Sequence, residues 1–534
     1  MAGTTVPSLV QPQTPEERQS VRRTLRSPGL LKTEVLAGLV VALALIPEAL
    51  AFSIIAGVDP RIGLFSAFTM AVSISFLGGR PAMISAATGA VALVIAPLVA
   101  SHGVEYMIAA VILAGVLQVA LALLGVAKLM RFIPRQVMVG FVNALAILIF
   151  GAQVPELLNV PWLVYPLTAL ALLIVFGLPR LTTAVPAPLV AIVVLTAITV
   201  FASVAVPTVG DKGELPDSLP SLMLPNVPFS WETLQVIFPY ALAVAFVGLL
   251  ESLMTAKLVD DVTDTRSNKT REAWGQGVAN MITGFFGGMG GCAMIGQTMI
   301  NVKASGARTR ISTFLAGVFL LVLVVVFGDL VALIPMAALV AVMIFVSVAT
   351  FDWHSIRPAT LKMMPRSETA VMLATVAVTV WTNNLASGVG VGVLVAMVLF
   401  ARRVAHFVTV ERTVTGGGGA DDDGAAAAAR PTATYTVNGE LFFASSNDLY
   451  SQFEYGKDPD RVVIDLTRSH IWDASTVAAL DAVAEKYRRH GTDVEIVGLN
   501  AASGKMRERM AGRLGWSAVR SRSGRRTGSG IRPR

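Results

Sequence analysis

Long apolar stretches, broken at fairly even intervals by short polar connections, fill the chain from Thr33 to about residue 410. Charge-free runs of about 20 residues are long enough to span a bilayer, and runs of about 10–14 fit half-spans or buried pieces. Segments begin near Thr33, Ile62, Ser85, Tyr106, Arg135, Trp162 and Ala184. They begin again near Gln235, Glu272, Ala293, Ile311, Val331, Glu368 and Ser387. The pattern predicts an all-α polytopic membrane domain of about fourteen segments in two groups of about seven, with short segments at Ser85 and Ala293. Pro47 and Pro97 fall inside apolar runs and predict kinks or breaks, tolerable where other protein covers the freed backbone.

Outside that region the pattern changes. Residues 1–32 are polar and Arg-bearing and lack the apolar core of a cleavable signal; they read as a cytoplasmic N-terminal segment before the membrane domain at 33–410. Residues 411–430, dominated by a glycine run, an aspartate triplet and an alanine run, read as a flexible linker. Residues 431–515 read as a small α/β domain. Arg461 to Leu466 is a buried strand. Asp473 to Arg489 is a helix with Val477, Leu480, Val483 and Ala484 on one face, and Val494 to Val497 is the next strand, so a parallel crossover is expected. Residues 516–534, rich in Arg, Ser and Gly, read as a disordered basic tail lying near anionic lipid.

Composition supports this class. The 534 residues are 54% hydrophobic and 14% charged, against about 25% charged in ordinary soluble domains. Basic residues collect before the first segment (Arg22, Arg23, Arg26, Lys32) and then in alternate connections, among them Arg80, Arg180, Lys257 to Arg271, Lys303 to Arg310 and Arg357 to Arg366. The other connections hold little beyond Arg61 and Lys212. That asymmetry places both termini in the cytoplasm of a multi-pass protein of the cytoplasmic membrane. The net charge of +7 is therefore loop charge facing the bilayer, and no nucleic-acid partner is expected. The single cysteine, Cys292, excludes an intrachain disulfide and a cysteine-based zinc cage. No cofactor is expected, and the histidines fall in loops, helix ends or the soluble domain, which argues against an enzyme.

The candidate chemistry lies in two carboxylates and two small-residue stretches. Glu48 and Glu251 each sit a dozen or so residues into an apolar run, near the midplane, where a bare carboxylate costs a few kcal/mol and so faces a polar cavity. About forty residues beyond each comes a helix start built of small residues. Ser85, Ala86, Thr88 and Gly89 form the first, and Ala293, Met294, Ile295, Gly296 and Gln297 the second. Half-helices opening at mid-depth would aim unpaired N–H groups at one point and suit a small anion; the plainer alternative is close helix packing. Glu48 and Glu251 are candidates for coupling to H⁺. Thr255, one turn after Glu251, offers a hydroxyl for Na⁺ instead. Gln276 and Asn280 are as suited to interhelical hydrogen bonds as to substrate.

At these residues the chain resembles the SulP family of sulfate-permease-like anion transporters. The markers are Leu45 to Phe52 (LIPEALAF), Val58 to Leu64 (VDPRIGL), Gly275 to Asn280 (GQGVAN) and Asn301 to Lys303, and the C-terminal part resembles a STAS domain. The resemblance implies a seven-plus-seven inverted repeat like that of uracil permease, and a core domain moving against gate helices, roughly Arg135 to Val206 and Phe351 to Val408. It also implies carriage of sulfate, bicarbonate, chloride, oxalate or dicarboxylates, and a homodimer. Glu48 stands where many members have Gln, and Gln297 where many have Arg. In the STAS part, Ser475 occupies the position phosphorylated in antagonist proteins and is the candidate regulatory residue, with the STAS domain the expected contact for a cytoplasmic partner; a plain capping cluster of Asp473, Ser475 and Thr476 is the alternative. The expected function is secondary active transport of a small anion. A cation- or metal-linked transporter on the same fold, and a membrane-anchored STAS signalling scaffold, are the competing readings.

Overall fold

A computed structural model of the chain describes residues 19–125, 133–181, 186–216, 218–405, 408–415, 431–443, 445 and 449–511. The expected basic tail and residues 416–430 of the expected linker lie outside the described residues, as do residues 1–18. The chain forms two compact units, residues 1–393 and 394–534.

The first unit is helical. After a short α1 (Val21–Arg26), α2 (Pro28–Ala56) begins earlier than Thr33, because Pro28 at the first helical position costs no hydrogen bond. It ends at Gly57, whose φ of +73° makes a left-handed cap. Pro47 lies inside α2 without breaking it. Then come α3 (Pro60–Leu77), a two-residue strand β1 (Ser85–Ala86), α4 (Gly89–His102), α5 (Val104–Leu123), α6 (Arg135–Gln153), α7 (Val164–Gly177) and α8 (Ala187–Phe201). The second half opens with α9 (Trp231–Thr263), started by Ser230, whose hydroxyl accepts from the Thr233 amide at 3.1 Å. There follow α10 (Lys269–Phe285), a second two-residue strand β2 (Cys292–Ala293), and α11 (Ile295–Met299), which runs on as a π turn to Ala304. The half continues with α12 (Arg310–Val326), α13 (Gly328–Ala332), α14 (Met336–Thr350), α15 (Pro358–Met363), α16 (Arg366–Thr382) and α17 (Leu385–Ala405). Among the described residues, 6 helices are long and apolar enough to cross a membrane.

The packing of the two halves repeats. Helix α5 packs on α9 and α10, as α12 packs on α2 and α3. Helix α6 packs on α16, as α14 packs on α7. Where α3 meets α10, the hydroxyls of Thr69 and Thr283 hydrogen-bond at 2.8 Å. The strands β1 and β2, one from each half, pair antiparallel with Ser85 opposite Ala293 and Ala86 opposite Cys292.

The second unit has a four-stranded sheet in the order β3 (Thr409–Thr415), β4 (Thr432–Leu441), β5 (Arg461–Ile471), β6 (Asp493–Val497). Strand β3 pairs antiparallel with β4; β4–β5 and β5–β6 are parallel. Helix α18 (Ala474–Arg489) makes the crossover from β5 to β6 that the sequence predicts, and α19 (Ala501–Met510) closes the described part. Residues 411–415, expected in the linker, belong to β3. Arg412 holds this edge strand in place by pairing with the buried Asp458 carboxylate at 2.8 Å. The Tyr435 hydroxyl donates to the same carboxylate at 2.6 Å, and Tyr487 donates to it as well. Burial, reinforced by Asp458, pushes both phenols above the usual tyrosine range.

Candidate functional site

Neither half-helix start is free to reach its position alone. Each is carried by a two-residue strand, and the pairing of β1 with β2 brings the two starts side by side. Gly291 makes this approach fit: a Cβ there would stand 2.0 Å from the Ala86 carbonyl oxygen. Asn280 from α10 secures the turn, accepting from the Gly291 amide at 2.9 Å and donating to the Gly291 carbonyl at 3.0 Å. Gln276, one turn earlier, donates to Ser85 Oγ at 2.6 Å and to Glu272 at 2.9 Å. The amide of Ala293 donates to Ser252 Oγ on α9 at 3.1 Å. Three of these contacts, at the Gly291 amide and carbonyl and at the Ala293 amide, satisfy backbone that has left regular helix in the middle of an apolar unit.

Beside the paired strands lies a cavity of about 430 Å³. Helix α2 lines it with Glu48 and Phe52, α9 with Glu251, the cap and first residue of α4 with Thr88 and Gly89, and the start of α11 with Met294, Ile295, Gly296 and Gln297. The opposite wall comes from α6 (Phe141, Leu145, Ile149), the start of α8 (Pro188) and α14 (Val342, Phe345, Ala349). Among the described residues, the lining has two carboxylates and no Lys, Arg or His. Gln297 lines the cavity together with Glu48. Glu251 Oε2 accepts from the thiol of Cys292 at 3.0 Å, and Cys292 Sγ also lies 3.1 Å from Thr88 Oγ1. A chain of short contacts thus joins the Glu251 carboxylate of one half to the half-helix cap of the other.

The structure therefore brings together Glu48, Glu251, Thr88, Gly89, Met294, Ile295, Gly296 and Gln297. It keeps the side chains of Ser85, Ala86 and Ala293 in the buried layer behind them. Thr255 is also buried and away from the lining, its hydroxyl donating to the Glu251 carbonyl at 2.8 Å along its own helix. Ser475 is exposed in the first turn of α18, where Asp473 caps the helix by accepting from the Thr476 amide at 3.1 Å. Sequence reasoning did not single out Cys292 or Ser252 as site residues, nor the aromatic wall of Phe52, Phe141 and Phe345. Cys292 lies inside the small-residue stretch already marked; nothing local marks the phenylalanines among many apolar neighbours. Helix α14, left out of the expected gate, packs on α6 and α7 and belongs with them.

Repeated helical halves meeting at paired strands, with two carboxylates on one cavity, define a multi-pass membrane protein of the carrier type. A model of the Sulfate permease family matches residues 31–164 and 158–375, and a STAS domain model matches residues 425–510. The chain belongs to the sulfate permease family and ends in a STAS domain. It is 52% identical over 483 residues to "Putative sulfate transporter YbaR" of Bacillus subtilis (strain 168), covering 90% of this chain and 98% of that one. It is 27% identical over 521 residues to "Bicarbonate transporter BicA" of Picosynechococcus, covering 90% of each chain. Among solved structures, the transmembrane domain of a cyanobacterial bicarbonate transporter BicA superposes with a TM-score of 0.60 at 27% identity, over 68% of this chain and 97% of that one. The murine Slc26a9 anion transporter in its inward-facing state gives a TM-score of 0.75 at 16% identity, over 90% of this chain and 87% of that one, a likeness of fold. The relatives are transporters, in keeping with a protein that is not an enzyme.

Proposed function

We propose that this protein is a secondary active transporter of a small anion, sulfate, bicarbonate or a related inorganic or carboxylate ion, driven by H⁺. The observation that carries it is the pairing of β1 with β2, which sets Thr88–Gly89 and Met294–Gln297 on one cavity with Glu48 and Glu251. The first turns of α4 and α11 supply backbone N–H groups and the positive ends of their dipoles to an anion. With no cationic side chain in the lining, an anion meets two carboxylates, and proton uptake by Glu251 and Glu48 removes that repulsion. Substrate and proton then enter together. The unit carrying α2–α5 and α9–α12 moves against α6–α8, α14 and α16 in an elevator or rocking motion. By the distribution of basic loops, the ends of α8 and α14 that line the cavity are cytoplasmic, which fits a pocket open to the inside. We place the protein in the cytoplasmic membrane as a homodimer of about fourteen segments per chain, with both termini inside and the STAS domain available to a cytoplasmic partner through Ser475.

The test is uptake of labelled sulfate, bicarbonate and succinate by proteoliposomes under an imposed inward pH gradient. Accumulation of at least one anion, abolished by a protonophore, is expected; flux of none refutes the proposal. The two-carboxylate, cation-free lining also favours a second reading in which a cation accompanies the anion. Replacing the pH gradient by a Na⁺ gradient separates the two. Thr255, buried and off the cavity lining, lends Na⁺ little support.

A further inference from the structure

We infer that Cys292 is a positioning residue for Glu251: its thiol holds Oε2, so that Oε1 is the oxygen left to the cavity. The polarity of the contacts follows from their ends. The amide of Val91 can only donate, and it reaches Thr88 Oγ1 at 3.4 Å. Thr88 Oγ1, having accepted, turns its own proton to Cys292 Sγ at 3.1 Å. The thiol proton then points to Glu251 Oε2 at 3.0 Å. Cys292 is fully buried and cannot turn to water instead. Its backbone is fixed by pairing with Ala86, so the sulfur does not follow the carboxylate if that moves. Among the described residues no hydrogen bond reaches Oε1, and Glu251 lines the cavity. A proton or an anion arriving there meets one defined oxygen of a carboxylate that would otherwise rotate freely.

The groups around Glu251 leave this task to the thiol. Helix α2 faces it with Glu48 across the cavity, while α4, α5 and α11 bring Thr88, Gln118 and Gln297, all uncharged. On α10, Glu272 is taken up by the amides of Gly79 and Arg80 and by Gln276.

This inference rests on the transport role of Glu251 proposed above, but one of its readouts does not. Because the chain has a single cysteine, the S–H stretching band of the full-length protein reports this thiol alone. The band is expected at a lowered, hydrogen-bonded frequency in wild type and at the free-thiol position in Glu251→Ala; an unchanged band overturns the inference whatever the protein transports. In proteoliposomes, Cys292→Ala and the bulkier Cys292→Val, which guards against collapse, are expected to shift the midpoint of the uptake–pH curve by about one to two pH units. That is the size of one hydrogen bond to a charged group. Cys292→Ser keeps a donor and restores the wild-type midpoint. Coincident midpoints for all variants overturn the inference even where wild type transports, whereas pH-independent uptake by wild type, with the band shift intact, overturns the proton coupling instead.

Discussion

Replacing Gly291 by alanine strikes the contact that holds the two half-helix starts together. The added methyl would stand 2.0 Å from the Ala86 carbonyl oxygen and 2.6 Å from its carbon, where real side chains stay beyond 3.0 Å. Both obstacles are backbone, so the strands must part by about 1 Å, and overpacking of this kind costs about 1–3 kcal/mol. Parting them also stretches the two Asn280 bonds to Gly291, and leaving such a buried group unpaired adds about 1–3 kcal/mol. The combined loss of about 2–6 kcal/mol should lower the melting temperature in detergent by roughly 5 °C or more. It should also reduce proteoliposome uptake, because the two half-helix starts are no longer held on one cavity. Gly296→Ala is the matched control for folding: its Cβ meets nothing within 4 Å, and alanine suits a helix better than glycine. A Gly291→Ala protein that melts and transports like wild type, or a Gly296→Ala protein that melts as early, would refute the role given to the strand pairing.

Three further outcomes are expected. Glu48→Gln and Glu251→Gln, which keep an acceptor oxygen but cannot take up the proton, should each weaken the dependence of anion uptake on an inward pH gradient; gradient-driven uptake in liposomes checks this. Asn280→Ala, which strips partners from both polar groups of Gly291 and from Gln118, should destabilise the protein by about 2–4 kcal/mol in thermal melts. In the STAS unit, Tyr435 and Tyr487 hold their protons more tightly folded than unfolded, so their contribution is intact below about pH 10 and falls as pH rises past it. Chemical denaturation of the full chain should show this loss, and Tyr487→Phe, which removes a bond to a charged acceptor, should cost about 1.5–3 kcal/mol.

Much of this architecture is legible in the chain because the bilayer is a strict solvent. Apolar run length, basic loops and mid-run carboxylates each follow from the cost of placing charge or bare backbone in hydrocarbon. Glu48, Glu251 and the small-residue starts at Thr88 and Met294 could therefore be marked from local sequence. So could the α18 crossover, where an amphipathic helix sits between two buried strands. What local sequence could not decide is which of the marked residues share a surface. Ser85, Ala86 and Ala293 have the same small-residue character as Thr88 and Gly296, yet strand pairing turns them into the wall behind the cavity. Phe141 and Phe345 look like any other apolar residue until α6 and α14 pack together. β3 was hidden because an edge strand held by one neighbour and by Arg412 on Asp458 needs no apolar alternation of its own. The link from Glu251 through Cys292 to Thr88 joins positions far apart in sequence and brought together by the pairing of Ala86 with Cys292. Sequence alone determined the solvent, the segments and the two acids, because these obey rules read one element at a time. Only tertiary structure decided the site, because a cavity is made of contacts between elements that no single element encodes.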